Sequence, residues 1–136
     1  MKALLDRVPG LADLVQWCNG WPSFHDAEIV RLDLRRRGLS QLVVYALGGA
    51  RPDVGPRADP KYSVPPEDVI ITFVLEDIDD LDLYQFSSQN VVFSLSLEAT
   101  ATGLRITMQP CYGLAGTIDA QKISIKFSPG KPKSDE

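Results

Sequence analysis

From Leu4 to Cys18 the apolar residues Leu4, Leu5, Val8, Leu11, Leu14, Val15 and Cys18 recur at three- and four-residue steps, the period of one helical face. Pro9-Gly10 interrupts the run, so the pattern predicts a short first turn, a break, and a helix over about 11–18 whose stripe docks on a sheet. Asn19-Gly20 ends that helix, with Gly20 suited to a left-handed cap. Trp21-Pro22-Ser23 reads as an extended connector. From Ala27 the period falls to two: Val30, Leu32 and Leu34 point one way, Arg31, Asp33 and Arg35 the other. Arg36-Arg37-Gly38 turns the chain, and Leu42 to Leu47 returns, so 27–47 is a predicted hairpin.

The stretch 48–66 is rich in Gly and Pro, carries Arg51, Arg57 and Lys61, and reads as a long exposed loop. Val69 to Leu75 is a third strand. The acidic run Glu76 to Asp82 follows, then a short strand or turn over Leu83–Phe86 and a loop at Ser87–Asn90. Val91–Glu98 and Leu104–Gln109 alternate again, with a turn at Thr102-Gly103; the glycine-bearing stretch 113–120 breaks the pattern before a last strand over Ile123–Phe127. Nothing alternates as βαβ, which predicts an α+β fold: a mainly antiparallel sheet of five to seven strands with an N-terminal helix packed on one face. Residues 1–128 are expected to form one domain, and 129–136 a flexible polar tail.

A chain of 136 residues is one domain by length and buries about two-thirds of its unfolded surface, so it needs no disulfide or metal to fold. A net charge of −4 argues against a nucleic-acid partner and is compatible with a basic protein partner. Cys18 and Cys111 lie far apart, without a CxxC pair, and read as free thiols of a reducing compartment. Asp6-Arg7 cuts the first apolar run short, so no signal-peptide core is expected, and no stretch approaches the ~18 apolar residues of a membrane span. The expected location is cytoplasmic.

The one histidine, His25, stands between aromatics and acids in Trp21-Pro22-Ser23-Phe24-His25-Asp26-Ala27-Glu28. A small enzyme or metal-binding protein would use the His25-Asp26-Glu28 corner. Neighbours in a strand face opposite sides, so His25 and Asp26 share an ion only where the backbone turns, and further ligands would have to be carboxylates or cysteines. Ser23 is the only local hydroxyl, and no GxSxG elbow supports acyl transfer. No catalytic residue, resident metal or cofactor is assigned. The bland alternative has His25 bonding a backbone carbonyl while Asp26 caps a turn.

The acidic run holds Glu76, Asp77, Asp79, Asp80 and Asp82, and interleaved Ile78 and Leu81 depart from a calcium-loop spacing. It reads either as a solvated bend or as a patch that steers a basic partner. Arg31, Arg35, Arg36 and Arg37 read as a solvated hairpin end, Gly113 and Gly116 as a bulge or tight turn needing positive φ. Trp17, Trp21, Phe24 and Tyr112 are core candidates, with Trp21 or Phe24 a possible anchor for a partner.

Three segments, Trp21 to Ile29, Leu83 to Val92 and Tyr112 to Ala120, resemble a bacterial immunity-protein family, the one numbered fifty in polymorphic toxin systems. They occur in the expected order and, with the strand that follows, span most of the chain from 19 to 127; the loop 48–66 has no counterpart. The resemblance implies a single α+β domain that binds and neutralises a cognate protein toxin without catalysis. Contact is then expected at Glu76, Asp77, Asp79, Asp80 and Asp82, with His25, Asp26 and Trp21 as a second corner.

Overall fold

The computed structural model describes residues 2–47 and 68–132. The predicted loop 48–66 and the last four residues of the expected tail lie outside them. Two short helices, α1 (Lys2–Arg7) and α2 (Leu11–Cys18), precede six strands: β1 (Glu28–Asp33), β2 (Ser40–Ala46), β3 (Val69–Tyr84), β4 (Val91–Ala99), β5 (Leu104–Tyr112) and β6 (Ala115–Pro129). Every pairing is antiparallel, as expected, and the sheet closes on itself in the order β1-β2-β3-β6-β5-β4.

Period-two alternation fills the barrel. Leu42 and Val44 of β2, Ile71, Phe73 and Leu75 of β3, Ile123 and Ile125 of β6, Ile106 of β5 and Leu95 of β4 all turn inward and are buried. The hairpin 27–47 forms with Gly38 at φ 86 in its turn. A bulge at Val30 shifts the phase of β1, so Ile29 is the buried residue there.

The helices stand where the strands leave a gap. β5 pairs with β6 only from Leu104–Met108 to Gly116–Ala120, which leaves the Ile123–Pro129 half of β6 without that neighbour. The Pro9 carbonyl accepts the Ile125 N–H at 2.8 Å, and a Cβ on Gly10 would lie 1.8 Å from the Ile125 oxygen. Glycine, with φ 87, is what lets the chain come so close. The predicted stripe Leu11, Leu14 and Cys18 is fully buried, each leucine contributing about 1.5–3 kcal/mol by leaving water. Trp17 packs on Phe127 with ring centroids 5.6 Å apart. The left-handed cap of α2 falls on Asn19 (φ 60) and not on Gly20, because an asparagine tolerates that conformation and its N–H reaches the Val15 carbonyl.

Two long strands depart from the sequence reading. β3 runs unbroken through the acidic stretch, and β6 begins at Ala115, inside the glycine-bearing segment. They hold each other: Ile78, Leu81 and Leu83 lie opposite Ala120, Ile118 and Gly116, while Asp80 and Asp82 lie opposite Asp119 and Thr117. Asp79 is the extra residue of a bulge in β3. Gly116 has φ 128, and a Cβ there would sit 1.8 Å from the Asp82 carbonyl oxygen, so the small residue is a condition of the pairing.

The barrel closes at a narrow seam. β1 meets β4 at one register pair, Glu28 with Val91. Three hydrogen bonds flank it: Asp26 N–H to Val92 O, Val92 N–H to Ala27 O and Ile29 N–H to Asn90 O. Beyond the seam, Trp21 covers the open side of β4, its indole N–H donating to Leu95 O at 3.1 Å and its ring packed on Phe24.

Candidate functional site

The acidic run becomes the outer half of β3. Pairing with β2 stops at Leu75, opposite Ser40, so from Glu76 to Tyr84 one side of β3 is held by β6 and, among the described residues, no strand pairs with the other. Glu76, Asp77, Asp79, Asp80 and Asp82 are all exposed on this edge, and Asp77 adopts φ 56. Asp79 accepts a hydrogen bond from the Gln121 amide at 3.1 Å. Behind Asp80, Arg105 grips Asp119 with two bonds of 2.7 and 2.9 Å. That fork holds the Asp119 carboxyl below its ordinary range and raises the Arg105 guanidinium.

A groove of about 550 Å³ separates this edge from the β1–β2 turn, with Arg35, Arg36 and Arg37 on one bank and Asp77, Ile78 and Leu81 on the other. Arg31 and Arg35 both reach Asp33, whose carboxyl is lowered chiefly by the Arg35 hydrogen bond, so much of the cationic cluster is spent on its own hairpin. The turn is closed by Ser40, whose hydroxyl accepts the Arg35 N–H at 2.8 Å.

At its far end β3 runs into a rim where the segments 21–29, 83–92 and 112–120 meet. Asn90 is their hub. Its side-chain oxygen accepts the N–H groups of Ser87 (3.0 Å) and Leu114 (2.8 Å), its amide donates to Ser87 O, and its backbone carbonyl accepts Ile29 N–H. Gly113, at φ 89, passes so near that a Cβ would stand 2.5 Å from the Asn90 side-chain oxygen. Around this buried hub Tyr84, Phe86, Phe93 and Tyr112 are each more than half exposed. The alternation did not single out Phe86 or Phe93, and aromatic size made Tyr112 a core candidate, although it is exposed; the exposure depends on bulges and loops that no local period encodes. Trp21 is half-buried against β4, its N–H already committed.

His25 and Asp26 stand on the same rim, both exposed. Asp26 is left-handed (φ 66), and this turn swings the two side chains to one side, His25 Nδ1 lying 3.5 Å from Asp26 Oδ2. The imidazole meets Phe93 edge-on at 5.4 Å. Glu28 does not join them: it sits within β1 opposite Tyr45 and Val91. Cys111 does, and ligand atoms of His25, Asp26 and Cys111 all lie within 4.8 Å of one another. Ser23 Oγ accepts the His25 N–H at 3.4 Å and so lies at the base of the turn.

Neither a scan against protein-family models nor searches of characterised proteins and of solved structures returns a match for this chain. No helix among the described residues is long and apolar enough to cross a membrane.

Proposed function

We propose that this chain is an immunity-type protein that binds a cognate bacterial toxin by surface complementarity, in the cytoplasm, and catalyses nothing. The observation that supports this most is the outer half of β3, where five exposed carboxylates line a strand edge that no other described strand covers. An acidic edge attracts a basic surface over a Debye length and raises the association rate, while backbone groups that pair with no other described strand offer hydrogen bonds at contact. The aromatic rim continues the same strand and supplies apolar area for short-range fit. A toxin that works on nucleic acid carries a basic groove, which such an edge can fill in place of phosphates.

The test uses a toxin domain encoded in the adjoining reading frame, with association followed at low and high salt. Asp79→Lys/Asp80→Lys is expected to slow association by tenfold or more, on the order of what steering supplies, and to flatten its salt dependence. Asp6→Lys, an exposed change on α1, should leave the rate near wild type and so separates a local patch from net charge. Equal rates for wild type and the double variant would remove the acidic edge from the interface.

A further inference from the structure

Three backbone irregularities converge on one spot of the rim. Asp26 takes a left-handed conformation just before β1. In β5, Tyr112 lies opposite Val91 and Pro110 opposite Val92, so Cys111 is an extra, unpaired residue. In β4, Val92 lies opposite Pro110 and Ser94 opposite Gln109, so Phe93 is extra in turn. Bulges re-aim side chains and gather next to functional sites. Here they bring a thiol from β5 and an aromatic ring from β4 to the imidazole and carboxylate that precede β1. The Val92 carbonyl locks the arrangement, accepting the Asp26 N–H at 2.9 Å with the Cys111 thiol 3.7 Å away.

We propose that His25, Asp26 and Cys111 bind a borderline-soft divalent cation, Zn²⁺ first, which staples the seam of the barrel. One nitrogen, one carboxylate oxygen and one sulfur match the ligand types that zinc takes, with three protein ligands and a fourth position open to solvent. Magnesium and calcium prefer all-oxygen sets, so the sulfur selects against them. Tetrahedral zinc with bonds of 2.0–2.3 Å spaces its ligands roughly 3.3–3.8 Å apart. The imidazole and carboxylate already stand at 3.5 Å, and the full set spans no more than 4.8 Å, which rotation of exposed side chains closes. An ion there ties the lead-in of β1 to β5 across β4, beside the one register pair that joins β1 to β4. Cys18 takes no part: it is buried in the core, and burial pushes its thiol up to about 12. The proposal does not depend on which partner the acidic edge meets.

The experiment titrates the chelator-treated full chain with Co²⁺ and then Zn²⁺, following thiolate-to-cobalt charge transfer and the melting temperature. One equivalent of Co²⁺ should give the band, Zn²⁺ should bleach it, and saturating Zn²⁺ should raise Tm by roughly 5–10 °C through linkage. Cys111→Ser should abolish the band, and His25→Ala and Asp26→Asn should each weaken binding by roughly tenfold or more. Asparagine keeps the left-handed backbone at position 26, and all three side chains are exposed, so the variants should match wild-type Tm in chelator. Glu28→Gln should bind as wild type. Binding below one equivalent, a band that survives Cys111→Ser, or a Tm indifferent to saturating Zn²⁺ overturns the proposal.

Discussion

Tyr45 shows how one side chain ties the strands to a pH. Its hydroxyl donates to the Asp68 carboxylate, just before β3, and this bond, ahead of burial and the nearby charges of Asp68 and Glu28, pushes the phenol up to about 12. A native pKa above the unfolded value of about 10 means that the folded chain holds its proton longer. The stabilisation is therefore whole below pH 10 and is lost as pH rises from 10 toward 12. Tyr45→Phe should cost about 1 kcal/mol at neutral pH. Urea midpoints of wild type and variant should converge across that alkaline window; a gap that stays constant from pH 8 to 12 would show that the phenol proton is not linked to folding.

At the scale of elements, what the sequence made legible is what a local period encodes. The helix at 11–18, the hairpin at 27–47 and the strand from Val91 follow from spacing alone; the helix stripe is the buried one, whereas in β1 the bulge at Val30 buries Ile29 and leaves Leu34 of the predicted Val30, Leu32 and Leu34 face exposed. β3 beyond Leu75 and β6 before Lys122 were hidden because Asp and Gly disfavour strands, and only the partner strand makes them extended. One N-terminal helix packed on a face was also a coarser picture than two short helices beside the half of β6 that β5 leaves unpaired. The acidic contact candidates were visible as composition, but their place on a strand edge that no other described strand pairs with was not. Cys111 carried no signal toward His25, since a bulge in β5 and a turn at Asp26 bring them together. The hub at Asn90 was equally silent and gives a sharp test. Asn90→Ala leaves the buried Leu114 N–H without its acceptor and should cost about 2–3 kcal/mol in chemical denaturation. Asn90→Asp keeps that acceptor, loses the donor to Ser87, and should cost less.

For the whole molecule, a closed barrel has no need of uniform closure. β3 and β6 share fourteen register pairs, and Ile71, Thr72 and Phe73 are flanked on both sides by β2 and β6. The seam offers one register pair and three hydrogen bonds, with Trp21 as its cover. Local opening free energies follow such differences in pairing and burial. Native-state hydrogen exchange should therefore find the amides of Asp26, Ile29 and Val92 exchanging through a partial opening that leaves Ile71 and Phe73 protected until global unfolding. In rising denaturant the first group should show a shallow dependence and the second the full one. Opening at the seam would free the His25 turn and the start of β4 together, since they bond to each other, while leaving the acidic half of β3 anchored on β6. Exchange at the seam with the same free energy and denaturant slope as at Phe73 would mean that the barrel opens only as a unit, and that its rim and its acidic edge cannot move independently.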